Sequence, residues 1–458
     1  MTKQIKQLGN ILLISVLTGI GLYSPWLRGA AAPARMQEEK TLLPADTLCV
    51  PAEALPVTPQ EPALPFYIDS LCVLTGNVSS LEPFYRELAA LRQGKDTVIS
   101  VVHLGDSHIQ CGFFSGHVMR LFHRDFGNAG RGLIVPLKLT RTNEPNDYFI
   151  RSTVTDWLKG RCIQAEPKCP VGVGGIGIRT EARKINMDVI IAKNNGAGYG
   201  FNQAVLFRDR EATPLIATGQ PASGVKTVTG SRPVCADVVC DTVRFDRLTD
   251  TLLLRSHTLP ARYNNLYYGL SLTNGAPGVL YHSIGVNGAM FVNYTDSAYV
   301  KQLALLKPSL LIVSMGTNET FGRRFSASEF KGQVARLVGL LRTYLPNTVL
   351  VITTPPECFQ RKRVDKKLVY QRNPNTATAA RAIAELAGEE GIPCWDLYRM
   401  TGGPGSSGKW LDAGLYGRDR IHFTKEAYAE QGNLLYRALV KGYNGFINSR
   451  EATAGLVE

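Results

Sequence analysis

Thr97-Val98-Ile99-Ser100-Val101-Val102-His103-Leu104-Gly105-Asp106-Ser107-His108 sets the architecture of this 458-residue chain. Residues 97–104 form a nearly continuous apolar run, the pattern of a strand buried on both faces within a parallel sheet. The run stops at Gly105-Asp106-Ser107, after which Phe114, Val118, Leu121 and Phe122 recur at helical spacing. A buried strand, a tight turn and a helix thus follow one another, with a serine on the turn.

The same unit returns further along. Residues 278–284 read as a strand ending in Gly285-Val286-Asn287-Gly288, and 309–314 as one ending in Gly316-Thr317-Asn318-Glu319. Ser326 and Glu329 form a capping box ahead of Phe330, Val334, Leu337, Val338 and Leu341, which share one helix face. A strand at 348–354, an Ala-rich helix at 375–389 and a strand-like run at 393–398 follow. Thr424 then caps a last helix reaching about residue 441. Repeated βα units predict an α/β fold, a doubly wound parallel sheet with helices on both faces. Functional groups in such sheets collect beyond the carboxyl ends of the strands, where all three glycine-marked turns lie.

Residues 140–274 break the pattern. Short β-type runs at 187–192, 199–207, 224–228, 237–245 and 251–254 are separated by Gly, Asn, Asp and Pro, with little helical spacing. They predict an inserted β-sandwich. The organisation expected is a signal peptide at 1–32, a flexible leader at 33–78, and two segments of one α/β domain at 79–140 and 276–446. Around these lie the β-rich insert at 141–275 and a tail at 447–458.

The signal reading rests on basic Lys3 and Lys6, the apolar run at 11–23 and the small-residue site at Ala30-Ala31-Ala32. That run is shorter than the ~20 residues a spanning helix needs, so no stable membrane span is expected after cleavage. Export to the periplasm or cell envelope follows, and secretion is the other option. The formal net charge of +13 favours contact with anionic polymers or lipid head groups. The charges are scattered, without a basic stripe interleaved with aromatics, so nucleic acid is not an expected partner. Cys162 and Cys169, or Cys235 and Cys240, are close enough in sequence to pair, and spacing alone does not set connectivity. No zinc-type C-x-x-C arrangement occurs.

Chemistry concentrates at the strand ends. Ser107, between a buried strand and a helix, presents its Oγ above the sheet and its own N–H toward a developing oxyanion. A serine needs a base near neutral pH. Asp419-Arg420-Ile421-His422 supplies an imidazole with a carboxylate three residues earlier, just before the last helix. Asp419 at that spacing can fix the His422 tautomer and stabilise the imidazolium; Asp412 is the alternative acid. His103, His117, His123, His257 and His282 read as structural. Gly288 N–H and the Asn318 amide are the remaining oxyanion donors.

Gly105-Asp106-Ser107, mid-chain Gly288, Gly316-Thr317-Asn318 and Asp419-x-x-His422 together resemble the block pattern of the SGNH (GDSL-type) hydrolases. The closer likeness is to bacterial peptidoglycan O-acetylesterases. It rests on Gly105-Asp106-Ser107-His108, Phe126-Gly127-Asn128-Ala129-Gly130, residues 281–289, Gly316-Thr317-Asn318-Glu319 and residues 419–424. The resemblance spans about residues 97–440. It implies a flavodoxin-like sheet, a serine esterase removing O-acetyl groups from an envelope glycan, and an inserted module similar to carbohydrate-binding modules. No metal or organic cofactor is implied. His108 stands where the GDSL name has leucine, and Glu319 where Asp is commoner, which bears on loop bracing. Another acetylated glycan such as sialic acid, transfer to a sugar, lipase activity and a non-catalytic glycan-binding role are the other readings.

Overall fold

In the computed structural model, which describes residues 56–454 apart from 194–197, 221–223, 236 and 323, the 97–104 run becomes the strand Val98–Gly105. Gly278–Gly285 and Leu310–Ser314 flank it in parallel, and Val349–Thr353 and Cys394–Trp395 continue the sheet beyond the latter. Numbered by chain order, these five strands run 2-1-3-4-5, the flavodoxin-like order, whose switch point lies beside the first strand.

The run is apolar without alternation because each face meets a helical layer. Ile99 and Val101 face Phe114, Val118, Phe122, Leu435 and Leu439, from the helices Phe114–Phe126 and Lys425–Ala454. Val102 and Leu104 face Val334, Leu337, Leu341 and Ile383, from Ala327–Tyr344 and Asn375–Glu389. Polar His103 is tolerated there because both ring nitrogens are satisfied, by Tyr281 Oη and Ser314 Oγ, each at 2.7 Å. Burial lowers its pKa to about 3, so it stays neutral.

The insert consists of two antiparallel sheets. The larger orders Leu158–Arg161, Ile176–Thr180, Asn265–Thr273, Phe201–Asp209, Val238–Thr249 and Val225–Cys235, with Gly132–Ile134 also paired to Asn265–Thr273. The smaller orders Tyr148–Arg151, Asn186–Ile191, Thr251–Arg255 and Ile216–Gln220. Ile178, Phe201, Leu206 and Val243 of one sheet share a core with Ile150, Val189, Leu252 and Leu254 of the other. On its opposite face the larger sheet packs Ile176, Phe207, Leu266 and Tyr268 against Val286, Ala289 and Tyr294 of the α/β body. A register shift between Tyr267 and Gly269 lets one strand serve both cores, with Leu266 and Tyr268 on one side and Leu270 and Leu272 on the other.

Three expectations change. Part of the anticipated leader is packed: Val57 exchanges two 2.8 Å hydrogen bonds with the Asn444 side chain, and Thr75 bridges to Cys394 at the sheet edge. The last helix continues to Ala454, through most of the anticipated tail, with Ile447 buried. The β-rich region takes in Gly132–Ile134, ahead of residue 141. Cys162 and Cys169 are free thiols. The signal segment lies outside the described residues. No described helix is long and apolar enough to cross a membrane.

Candidate active site

Ser107 opens a four-residue helix, Ser107–Gln110, directly after the first strand. Asp106 caps it, its Oδ1 accepting the His108 N–H at 2.9 Å. The turn lies so close to the neighbouring strand that Gly285 has no room for a side chain. A Cβ there would stand 2.2 Å from Gln110 N and 2.7 Å from Asp106 O. From below, Tyr294 Oη donates to the Gly105 carbonyl at 2.8 Å.

His422 reaches Ser107 from the opposite end of the chain. Its Nε2 lies 2.7 Å from Ser107 Oγ and its Nδ1 2.7 Å from Asp419 Oδ2. The other Asp419 oxygen accepts the N–H groups of Ile421 and His422, at 2.9 and 3.0 Å. Burial acts to raise the Asp419 pKa, but these hydrogen bonds, that from His422 first, outweigh it and hold the carboxyl below its ordinary value. Asp412 is exposed at the end of the helix Ser406–Asp412 and takes no part. The loop is held as a small ladder, with Gly417 N–H donating to the His422 carbonyl and Thr424 N–H to that of Leu415. At its tip Arg420 adopts φ +56°, its guanidinium 4.2 Å over the Tyr370 ring.

Gly288 and Asn318 lie on turns joined to the one that carries Ser107. Gly288 sits at φ +83° on the exposed turn after Gly278–Gly285, held by a hydrogen bond from Ala289 N–H to the Val286 carbonyl. Neither Ser107 N–H nor Gly288 N–H has a partner among the described residues. Asn318 ties the two turns together, Nδ2 donating to the Ala289 carbonyl at 2.9 Å and to Asp106 Oδ2 at 3.2 Å. Of the five residues singled out from sequence, Ser107, His422 and Asp419 are joined by hydrogen bonds, Asn318 bonds to Asp106 and Ala289, and Gly288 adjoins Ala289 in the chain.

Two neighbours complete the surroundings of these residues. His108 lies with its ring centroid 5.2 Å from that of His422, and its Nδ1 meets Tyr428 Oη at 2.8 Å. Burial, aided by the nearby charge of His422, lowers its pKa to about 3, so a neutral ring backs His422. Glu319 is buried and reaches across to accept the Phe291 N–H at 2.8 Å, bracing the segment that follows Gly288. The longer side chain of Glu, in place of Asp, spans that distance.

Burial, opposed chiefly by the Phe291 hydrogen bond, pushes Glu319 up to about 7 from 4.5. With the folded-state pKa raised, the stability from its neutral form is full below about pH 4.5 and is lost as pH rises through about 7. Glu319→Gln removes that titration. The variant gains on wild type between about pH 5 and pH 8, by up to ~3 kcal/mol, read as a difference in melting temperature. A difference that stays constant with pH contradicts a buried titrating Glu319.

Residues 249–430 match the family model described as GDSL-like lipase/acylhydrolase. The match takes in Gly288, Asn318, Asp419 and His422 and excludes Ser107, which the insert separates from them in sequence. No curated protein matches the chain in sequence. Among solved structures, one titled as a peptidoglycan O-acetylesterase in action is 19% identical, with a TM-score of 0.66, covering 81% of this chain and 99% of its own. Insert and α/β body therefore recur together in one known fold. A lipase/acylhydrolase from Enterococcus faecalis is 18% identical over 36% of this chain and 77% of its own, with a TM-score of 0.27. A GDSL-like lipase from Bacteroides thetaiotaomicron is 16% identical over 35% and 76%, with a TM-score of 0.26. Residues 249–430 are thus similar to the GDSL-like lipase/acylhydrolases, on a parallel sheet of flavodoxin-like order, and the α/β body and its insert share the fold of a solved peptidoglycan O-acetylesterase.

Proposed function

We propose that this protein is an exported serine esterase that removes O-acetyl groups from an envelope glycan, with O-acetylated peptidoglycan as the substrate. The observation that carries the reading is the unbroken hydrogen-bonded line Ser107–His422–Asp419, with each contact at 2.7 Å. In this reading Ser107 Oγ attacks the acetyl carbonyl while its proton passes to His422 Nε2. Asp419, ionised, holds the imidazole with Nδ1–H toward itself and stabilises the cation that forms. The oxyanion is met by Ser107 N–H, Gly288 N–H and the Asn318 amide, which gives up its longer bond to Asp106. His422 returns the proton to the departing sugar oxygen. Water then enters, loses a proton to His422 and releases acetate from the acyl-enzyme.

The peptidoglycan assignment draws on the fold shared with the solved O-acetylesterase and on the insert common to both. The insert, at about residues 141–275, is read as a glycan-binding module. Acetate release from O-acetylated peptidoglycan, set beside release from O-acetylated sialic acid, tests it. Faster turnover of the sialic acid ester overturns the substrate.

Asn318→Ala removes one oxyanion donor and the bridge between the two turns. Expected is a fall in kcat of about 10²- to 10³-fold with KM little changed, on a small acetyl ester. A change confined to KM contradicts a role in the transition state.

A further inference from the structure

One feature near the site has no part in the chemistry above. Phe359–Val364 and Lys367–Arg372 form a two-stranded hairpin with no further strand on either edge among the described residues. Its base is built into the Asp419–His422 loop. Phe359 N–H donates to the Arg420 carbonyl at 3.0 Å, and Tyr370 Oη to that of Arg418 at 3.1 Å. Its outer half belongs to no core. Arg361, Lys362, Arg363, Lys366 and Lys367 are all exposed there, with Asp365 as the one acid among them. None of these five cations makes an ion pair among the described residues. The pairing register sets Lys362 opposite Val369, Arg363 opposite Leu368 and Lys367 opposite Val364, so no cation is neutralised across the strands.

The turn adds a second observation. Asp365 and Lys366 have φ of +48° and +64°, the two-residue hairpin geometry in which glycine relieves the strain. A lysine there carries charge to the tip at a cost in backbone energy. Isolated hairpins of this kind add little to stability. The outer half therefore presents five exposed cations against one acid, on a hairpin hydrogen-bonded to the loop that carries His422.

We propose that this hairpin is a docking surface for the polymeric substrate, and that the polymer is an acidic, carboxylate-bearing glycan strand. The proposal deepens the esterase reading and rests on it for the identity of the bound chain. Position favours a glycan over a lipid surface, because the hairpin is hydrogen-bonded to the loop that carries His422, so a polymer held on it is held next to that loop. Composition agrees. The exposed apolar groups of the outer half are Val364, Leu368 and Val369, with no aromatic ring among them to anchor at a lipid interface. Exposed charges of one sign act over a Debye length, about 10 Å at 0.1 M salt, and concentrate an anionic chain at the site.

The test uses the full chain and two variants. One carries Lys362→Gln, Arg363→Gln, Lys366→Gln and Lys367→Gln; the other keeps every charge with Lys362→Arg, Arg363→Lys, Lys366→Arg and Lys367→Arg. Co-sedimentation with peptidoglycan sacculi at low and high salt is measured with Ser107→Ala added, and turnover of a small acetyl ester without it. Expected for the Gln variant is binding weakened on the order of ten-fold and no longer salt-dependent, with small-ester turnover within about two-fold of wild type. The charge-keeping variant binds as wild type does. Unchanged binding by the Gln variant, or equal loss in both variants, overturns the proposal. So does loss of binding to phosphatidylglycerol vesicles alone, with sacculus binding intact. A wild-type chain that sediments with sacculi yet turns over no acetyl ester sinks the esterase reading and leaves the docking surface standing.

Discussion

Ser107→Ala abolishes ester turnover, with kcat on a small acetyl ester falling about 10⁵- to 10⁶-fold while the fold and its melting temperature are kept. The size follows from the role. Without Oγ no acyl-enzyme forms, and the remaining donors assist only direct attack by water. In serine hydrolases, loss of the nucleophile costs about as much as loss of the whole triad, because the three groups act as a unit. At ~1.4 kcal/mol per factor of ten, the loss is roughly 7–8 kcal/mol of barrier. Stability is spared because Ser107 is half-buried and, among the described residues, its hydroxyl meets only His422. Turnover retained within ten-fold places the nucleophile elsewhere.

Asp419→Asn has the next largest effect, about 10³-fold in kcat. Asp419 orients His422 by accepting from Nδ1, and an Asn at this position presents either the wrong tautomer or no charge to the imidazolium. In buried triads the same change costs ~10⁴-fold. Here the acid and base side chains are 44% and 40% exposed, so water replaces part of the lost charge and the effect is smaller. The loop also uses this carboxylate, through the Ile421 and His422 N–H groups, and the Asn carbonyl keeps those bonds. Kinetics should therefore change far more than the melting temperature. Asp412→Asn, at an exposed helix end, leaves kcat unchanged.

The α/β body was readable because its strands are covered on both faces, which leaves unbroken apolar runs such as 98–105 and 310–314 ending at glycine turns. Ser107, Gly288 and Asn318 were legible for the same reason, each following such a run. Asp419 was preferred to Asp412 for its spacing three residues before His422, and the loop's ladder of hydrogen bonds shows how that spacing brings the carboxylate to the ring. His108 was invisible as a neighbour of His422, since the contact joins residues far apart in the chain and depends on Tyr428 of the last helix. Glu319 read as a variation in loop bracing, and its partner Phe291 N–H emerged only with the fold. The Phe359–Arg372 hairpin lacks an apolar face, so its strands carry no period-two signal. Tyr148–Arg151 and Leu158–Arg161 are too short to register. Residues 56–78 are ordered by hydrogen bonds and packing to distant segments such as Asn444, Glu430 and Met400, against which local composition says nothing.

Covalent capture tests the central claim most directly. Incubation with a fluorophosphonate, followed by digestion and mass measurement, should give one adduct per chain, on the peptide carrying Ser107. Labelling should be lost in Ser107→Ala and slowed severely in His422→Ala. An unlabelled chain, or an adduct on another serine, contradicts a nucleophile at the end of the first strand.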